Sequence, residues 1–287
     1  MIDDLKIPEG VGQTALVVAW MRQMESQRPD ALFQDPFADV VLRVIAEDRS
    51  FTEVSQMVTR ASSSTREYPA YFAVRTRFFD DELRSAMGSG IRQVVTLAAG
   101  VDGRTVRLDC PPGTRWYELD LPDMTAFKDA LIAHSGLAPA CERRGVAGDL
   151  TADWSRALRE AGFDPARPTA WLVEGLLMYL SDEVGDALLT ELSALSAPGS
   201  RIMLEQLETA MLGEEGRPSR DRLASQGARW LSARDDLRPW LAGHGWAAEV
   251  YSGADPRIGH GRTVSRLPAC WVATGTLTGR ADVTPAA

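Results

Sequence analysis

The residues best suited to chemistry stand where short apolar runs of the sequence end. The first run ends in small residues from Ala98 to Gly100, which would let a ligand approach the backbone closely. The second ends at Asp120, 20 residues after Gly100, where a carboxylate can accept hydrogen bonds from both ribose hydroxyls. Because Asp123 is better placed to begin the next helix, Asp120 is left for a ligand. The small residues alone also suit an ordinary turn, but together with the acid they favour a ribose-bearing ligand.

Two further acidic residues lie where predicted strands end. Asp149 could accept a hydrogen bond from the amine of an adenine while the N–H of Leu150 meets a ring nitrogen, although a helix cap before Trp154 is an equal alternative. Glu174 closes a strongly apolar run, and an unpaired buried carboxylate is expensive. Glu174 therefore needs a cationic partner, which is either a ligand ammonium or a nearby arginine.

These residues would meet if the runs form one parallel sheet, since ligands bind at the carboxyl ends of such strands. The alternation of short apolar runs with helical stretches after Gly90 predicts a doubly wound α/β fold. Strands are predicted at residues 93–98, 115–120, 141–146, 169–174, 201–206, 247–251 and 269–275. Helices are predicted near residues 123–135, 153–161, 182–196 and 232–243, after a helical region from residue 14 to about residue 81.

Composition excludes several classes of partner. The net charge is −9, so a long-range field repels nucleic acid and anionic lipid. No apolar run approaches the ~20 residues of a membrane span, and the acidic N-terminus is unlike a signal peptide, so we expect a cytoplasmic protein without membrane contact. Three scattered cysteines and three scattered histidines predict neither disulfides nor a metal centre. A small molecule is the expected partner, and the oligomeric state is left open.

Two cofactors suit a ribose-binding acid at this spacing, NAD and S-adenosylmethionine. The sequence lacks the G-x-G-x-x-G motif that cradles a pyrophosphate, which counts against NAD. An NAD-dependent oxidoreductase nevertheless stays as one alternative function, and an inactive binding subunit that kept the fold is another.

Several segments resemble the leucine carboxyl methyltransferase family and its bacterial relatives, which include S-adenosylmethionine-dependent O-methyltransferases of polyketide pathways. The resemblance runs in order from about Gly12 to Gly275 and is carried by GQTALVVAWMRQMESQRPDALFQDPFA, RTRFFDD, QVVTLAAGVDGRTVRL, YELDLPDM, GDLTADW and PTAWLVEGLLMYL. It implies a seven-stranded, Rossmann-like methyltransferase sheet with an N-terminal helical cap. The implied division is a cap at residues 1–90, an S-adenosylmethionine-binding domain at residues 91–279 and a tail at residues 280–287.

The resemblance also assigns roles to individual residues. It implies that Arg75, or alternatively Arg77, pairs with the methionine carboxylate of S-adenosylmethionine. It also implies that the loop from Ala98 through Gly100 supports the methionine portion and that Asp120 holds the ribose. Asp149 and Leu150 would bind adenine, and Glu174 would face the amino group. Glu205 and Gln206 match a Glu-Gln pair of the protein-methylating members and would lie toward the acceptor pocket.

The chain departs from the family pattern at two positions. Ala98 stands where a glycine is usual, and its methyl would lie beside the cofactor. Gly103 stands where the family usually has threonine in an Asp-Thr-Arg sequence. The first departure could weaken cofactor binding but should not block it, since S-adenosylmethionine has no pyrophosphate.

The expected acceptor is a carboxylate oxygen of a small molecule, in natural-product biosynthesis. A carboxylate is already ionised at neutral pH and needs no general base, whereas the competing acceptor, a phenol or enol hydroxyl, must lose a proton. The sequence offers few bases. His260, between two glycines in the loop before the last strand, is the first candidate for a base, and Glu205 is the second.

Overall fold

The computed structural model describes residue 8 and residues 11–46, 68–225, 227–264 and 269–278. Residues 47–67, inside the predicted helical region, and the predicted tail at residues 280–287 lie outside the described residues. The division into cap and cofactor domain stays a prediction.

A seven-stranded sheet forms the centre of the protein, as predicted. Its strands are β1 (Gln93–Leu97), β2 (Arg115–Asp120), β3 (Glu142–Ala147), β4 (Thr169–Val173), β5 (Arg201–Leu207), β6 (Trp246–Ser252) and β7 (Cys270–Leu277). Their spatial order is β3-β2-β1-β4-β5-β7-β6, and β7 runs antiparallel to the other strands. The charged strand β3 tolerates its arginines because it lies at the sheet edge and pairs with β2 alone. The reversal of strand order between β1 and β4 places the carboxyl ends of β1, β2 and β4 around a crevice.

The described helices surround the sheet. They are α1 (Val11–Ser26), α2 (Pro36–Ala46), α3 (Tyr68–Gly88), α4 (Arg104–Arg107), α5 (Pro122–Ser135), α6 (Trp154–Glu160), α7 (Asp182–Ala194), α8 (Arg217–Ser225) and α9 (Leu237–Gly243). The predicted helix at 232–243 was wrong in its first turn and begins at Leu237. The backbone N–H groups of Ser232 and Arg234 donate instead to Met178 and Leu207, so tertiary contacts hold this segment extended.

Side chains alternate between the two faces of the sheet and are covered on both. Val95, Trp171 and other residues of one face pack against α6, α7 and α9, whereas Val94 and Leu172 face α3 on the other. Helices α1 and α2 pack together onto α5, and their shared core includes Val101 from the loop after β1. The N-terminal helices are thereby held beside the carboxyl ends of the strands. Within the described ranges, no helix is long and apolar enough to cross a membrane.

Candidate functional site

A cavity of about 960 Å³ opens at the carboxyl ends of the parallel strands. Most of the candidate site residues named from the sequence line its wall: Arg75, Ala98, Gly100, Asp120, Asp149, Leu150, Glu174 and Glu205. His260, Gln206 and Arg77, the alternative to Arg75, do not; Gln206 donates to Ser232 instead, and Arg77 pairs with Asp81. The topology therefore brings together residues that lie up to 130 positions apart in the chain.

The loop after β1 turns sharply beside the cavity. Ala98 and Gly100 both adopt left-handed backbone conformations, with φ angles of 49° and 47°. This conformation costs a non-glycine residue about 1–2 kcal/mol, so Ala98 is held in a strained position. A Cβ atom added to Gly100 would lie 3.1 Å from the Cβ of Ala15, so glycine also allows α1 to approach the loop.

Asp120 lies between two backbone donors at the end of β2. Its Oδ2 accepts from the N–H of Gly100 at 2.6 Å and its Oδ1 from the N–H of Leu121 at 2.8 Å. It does not cap the next helix, whose N-cap is Leu121. Burial raises the pKa of Asp120, and each carboxylate oxygen keeps a second acceptor site for a ligand hydroxyl.

Asp149 forms a tight local turn rather than a helix cap. Its Oδ1 accepts from the N–H of Thr151 at 2.8 Å and from the Thr151 hydroxyl at 2.7 Å, and these two bonds lower the pKa of Asp149. Helix α6 has Asp153 as its N-cap residue instead. The alternative role of Asp149, as the cap before Trp154, is therefore not the one adopted.

Glu174 has two arginine partners, so of the two predicted kinds of partner, a ligand ammonium or a nearby arginine, the structure supplies the arginine. The Nη2 atom of Arg75 lies 2.9 Å from one carboxylate oxygen, and the Nη1 atom of Arg104 lies 2.6 Å from the other. Arg104 also contacts Asp102 and donates from Nε to Asp80 at 2.7 Å. Although burial opposes its charge, the carboxylates of Asp102 and Glu174 hold the pKa of Arg104 well above its usual value.

Arg75 joins Glu174 to Glu205. Its Nη1 donates to Glu205 at 2.8 Å, and its guanidinium lies 4.6 Å from the centre of the Phe72 ring. Burial again opposes the charge, but Glu205 and Glu174 together raise the pKa of Arg75. The buried Nε atom of Arg75 has no hydrogen-bond partner among the described residues. Arg75 lines the cavity, and its Nε is a buried donor without an acceptor that a ligand anion bound beside it would satisfy.

Glu205 is fully engaged. Its side chain is buried and accepts hydrogen bonds from the Tyr71 hydroxyl, from Arg75 and, at 2.9 Å, from the N–H of Gly175. Burial also raises the pKa of Tyr71 well above its usual value. A guanidinium and two further donors thus hold the Glu205 carboxylate in place.

His260 does not line the cavity. Its Nε2 lies 3.6 Å from Asp81 on the outer part of α3. Two arginines of the same loop also pair outside the cavity, Arg257 with Asp255 and Arg262 with Glu25. His260 and Arg262 of the loop before β7 thus contact α3 and α1. The two glycines beside His260 do not indicate in the sequence which way the loop runs.

The structure adds residues that the sequence had not assigned. Arg104 was visible in the Asp-Gly-Arg sequence, but its partners Asp80 and Glu174 are distant in the chain, and no local pattern links them. The part of the cavity away from Asp120 and Asp149 is lined by aromatic and apolar side chains, among them Tyr71, Phe72, Met178, Tyr179, Leu207 and Trp230. Among the residues described, no group of histidine, cysteine and acidic side chains could hold a metal ion.

Comparisons with known proteins identify a family and a class of enzyme. The sequence profile of the leucine carboxyl methyltransferase family matches residues 15–193. A protein of Parafrankia sp. (strain EAN1pec), whose name places it among the S-adenosyl-L-methionine-dependent methyltransferases, is 45% identical over 240 residues, which are 83% of this chain and 77% of the relative.

Solved structures support the fold. A DUF574 family protein from Streptomyces avermitilis MA-4680 is similar with a TM-score of 0.61 and 15% identity, covering 78% of this chain and 90% of that protein. A protein from Thermobifida fusca YX, named as a methyltransferase, has a TM-score of 0.56 and 17% identity, covering 79% of this chain and 88% of that protein.

Proposed function

Because the chain belongs to the leucine carboxyl methyltransferase family, we propose that it methylates a carboxylate oxygen of an apolar small molecule. The protein is an S-adenosylmethionine-dependent methyltransferase, and this class agrees with its 45% identical relative. The choice of oxygen and of acceptor is the proposal. A place in natural-product biosynthesis and a cytoplasmic location stay predictions.

The cavity wall fits S-adenosylmethionine. Asp120 has unused acceptor sites for the ribose hydroxyls, and the buried Nε of Arg75 lacks a partner that the methionine carboxylate would supply. Glu174 is held at the wall, 11% exposed, where it can meet an ammonium group. The residues that would hold the cofactor are Arg75, Ala98, Gly100, Asp120, Asp149, Leu150 and Glu174.

When bound, this cofactor supplies a methyl group on a sulfonium whose charge already activates the leaving thioether. The protein must then align the acceptor oxygen and exclude water. The apolar side chains of Phe72, Met178 and Trp230 exclude water from the acceptor side.

One observation carries the choice of a carboxylate: no histidine and no unpaired carboxylate lies beside Tyr71 and Trp230 at the described cavity wall, since Asp123 lies at the start of α5 next to Asp120. No histidine is among its described residues, and Glu205 accepts from Tyr71, Arg75 and Gly175. Asp120 and Glu174 are engaged by backbone donors and by arginines. A carboxylate acceptor is deprotonated at neutral pH and needs no base, whereas a phenol does.

The pH dependence of turnover tests this proposal. For an aromatic or aliphatic carboxylic acid that proves to be methylated, we expect kcat/KM to be level from about pH 6 to about pH 8, because no proton moves in the transition state. His260→Ala should leave the profile unchanged, since His260 lies outside the cavity. Glu205→Gln should not introduce a new pH dependence.

A steep rise of kcat/KM through neutral pH would contradict the carboxylate proposal and point to a hydroxyl acceptor. Loss of that rise in His260→Ala would make His260 the base. If S-adenosylhomocysteine binds but no acid or phenol is methylated, the inactive binding subunit is favoured instead.

A further inference from the structure

A buried ion cluster joins the N-terminal helices to the loop that borders the cavity. Asp35, at the start of α2, accepts from the Nε of Arg22 at 2.7 Å and lies 3.9 Å from the Nε of Arg107. Its other carboxylate oxygen caps α2 by accepting from the N–H of Ala38 at 3.0 Å. The Asp35 side chain is fully buried, so its position is fixed by these partners and by packing.

The cluster depends on a glycine. A Cβ atom on Gly103 would lie only 2.5 Å from Oδ1 of Asp35 and 3.1 Å from its Cγ and Oδ2. Gly103 has a φ of −95°, which other residues adopt, so the backbone itself does not require glycine there. The missing side chain is therefore needed for the close approach of Asp35.

The cluster reaches the cavity along two routes. On the first, the Nη2 of Arg22 donates to the carbonyl of Val101 at 2.7 Å, and both residues line the cavity. On the second, Arg107 and Arg104 share Asp80, and Arg104 contacts Glu174. Asp35 itself is not part of the cavity wall. Any effect of Asp35 on a ligand must then pass through the arginines and the loop.

We propose that Asp35 and Gly103 are positioning residues for the cofactor site, which fix the loop from Ala98 to Asp102 by holding Arg22 on Val101. This inference rests on the proposed function only in taking S-adenosylmethionine as the ligand of that loop. Gly103 departs from the usual family pattern, and the inference gives it a role: the absence of a side chain allows the carboxylate of Asp35 to approach the backbone closely.

Gly103→Ala is the decisive variant. Alanine at an allowed backbone conformation normally stabilises a protein slightly, so a loss here must come from the contact with Asp35. The matched control is Gly185→Ala in α7, where a Cβ atom would meet nothing within 4 Å. By calorimetry we expect Gly103→Ala to weaken S-adenosylhomocysteine binding about tenfold, corresponding to about 1.4 kcal/mol, and Gly185→Ala to bind as the wild type does.

A double-mutant cycle separates positioning from general damage. Asp35→Ser keeps a helix-capping hydroxyl but removes the carboxylate that the new methyl would strike. In the Asp35→Ser background, Gly103→Ala should therefore cause little further loss of S-adenosylhomocysteine affinity. For turnover, KM for S-adenosylmethionine should rise while kcat at saturation stays near the wild-type value.

Wild-type affinity in Gly103→Ala, or full additivity of the two substitutions, would overturn the inference. If Asp35→Ser does not fold, Gly103→Ala against Gly185→Ala decides the question alone. Failure of the wild type to bind S-adenosylhomocysteine would instead contradict the proposed function. In that event, hydrogen exchange of the ligand-free proteins still tests the positioning: faster exchange in the loop after β1 in Gly103→Ala supports it, and unchanged exchange contradicts it.

Discussion

Asp120 and Glu174 at the cavity have different hydrogen-bond partners, so their removal should affect ligand binding and protein stability differently. Asp120 accepts from the backbone N–H groups of Gly100 and Leu121, whereas Glu174 balances the buried charges of Arg75 and Arg104. Removal of Asp120 leaves two neutral donors near the cavity. Removal of Glu174 leaves two buried guanidinium groups with less compensation, which is a much larger cost.

We therefore expect one alanine substitution to act mainly on ligand binding and the other mainly on the free energy of unfolding. Asp120→Ala should lose about 1.5–3 kcal/mol of S-adenosylhomocysteine binding, as is typical of a hydrogen bond to a charged group, with only a small change in the free energy of unfolding. Glu174→Ala should lower the free energy of unfolding by about 3–5 kcal/mol, as is typical of a broken buried ion pair. Urea denaturation and calorimetry measure the two quantities.

Asp109→Ala, an exposed acid outside the cavity, is the control for both. The assignment of Asp120 to the ribose would be wrong if Asp120→Ala bound S-adenosylhomocysteine with wild-type affinity. Glu174→Ala with wild-type stability would show that Arg75 and Arg104 find other partners.

For single residues, the sequence predicted their place in the fold better than their hydrogen-bond and ion-pair partners. Asp120, Asp149 and Glu174 could be named because each ends or follows a predicted strand, and parallel strands end at one edge of a sheet. The contacts of Arg75 with Glu205 could not be found in this way, because the two residues are 130 positions apart. The position of His260 outside the cavity could not be predicted either, because a loop between glycines has no periodicity that fixes its direction.

At the scale of elements, the loop between β1 and α4 carries the clearest conflict between sequence and conformation. Ala98 has a positive φ of 49°, whereas its buried neighbour Ala99 does not. A left-handed conformation costs alanine about 1–2 kcal/mol, which glycine does not incur. Glycine in turn loses about 0.5–1 kcal/mol through the greater entropy of the unfolded chain.

The two substitutions Ala98→Gly and Ala99→Gly should therefore differ in sign. Ala98→Gly should leave the melting temperature unchanged or raise it, since the relief of strain at least offsets the entropy. Ala99→Gly should lower it, because an ordinary position gains only the entropic cost and loses a buried methyl group. Differential scanning calorimetry of both variants is the measurement. Equal destabilisation by the two would mean that Ala98 is not strained in solution.

Most element boundaries followed from local patterns, and the exception has a physical cause. All seven strands occur, six of them within one residue of prediction at each end and β7 ending two residues later, because apolar runs bounded by glycine and acidic residues are strong signals in a parallel sheet. The first turn of the predicted helix at 232–243 does not form, since Ser232 and Arg234 donate to distant carbonyl groups. Tertiary hydrogen bonds of this kind override helical periodicity and leave no mark in the sequence.

For the whole molecule, the large cavity and the strained loop imply that the ligand contributes to stability. A ligand bound only by the native state raises the free energy of unfolding by RT ln(1 + [L]/Kd), or about 2.7 kcal/mol at a hundredfold excess over Kd. The cavity draws residues from α1, α3, β1, β2 and β5 and from the loop after β4, so a ligand there contacts both the helices and the sheet. Its effect should appear in global unfolding rather than in one segment.

We therefore expect S-adenosylhomocysteine to raise the melting temperature by several degrees, since about 1 kcal/mol shifts a domain of 150–250 residues by about 2–4 °C. NAD at the same concentration should leave it unchanged, because the loop after β1 lacks the glycines that bring a backbone against a pyrophosphate. Asp120→Ala should reduce the shift caused by S-adenosylhomocysteine, which ties the effect to the cavity. A shift with NAD and none with S-adenosylhomocysteine would contradict the cofactor assignment, since only the ligand that occupies the strand ends can link its binding to unfolding of the sheet.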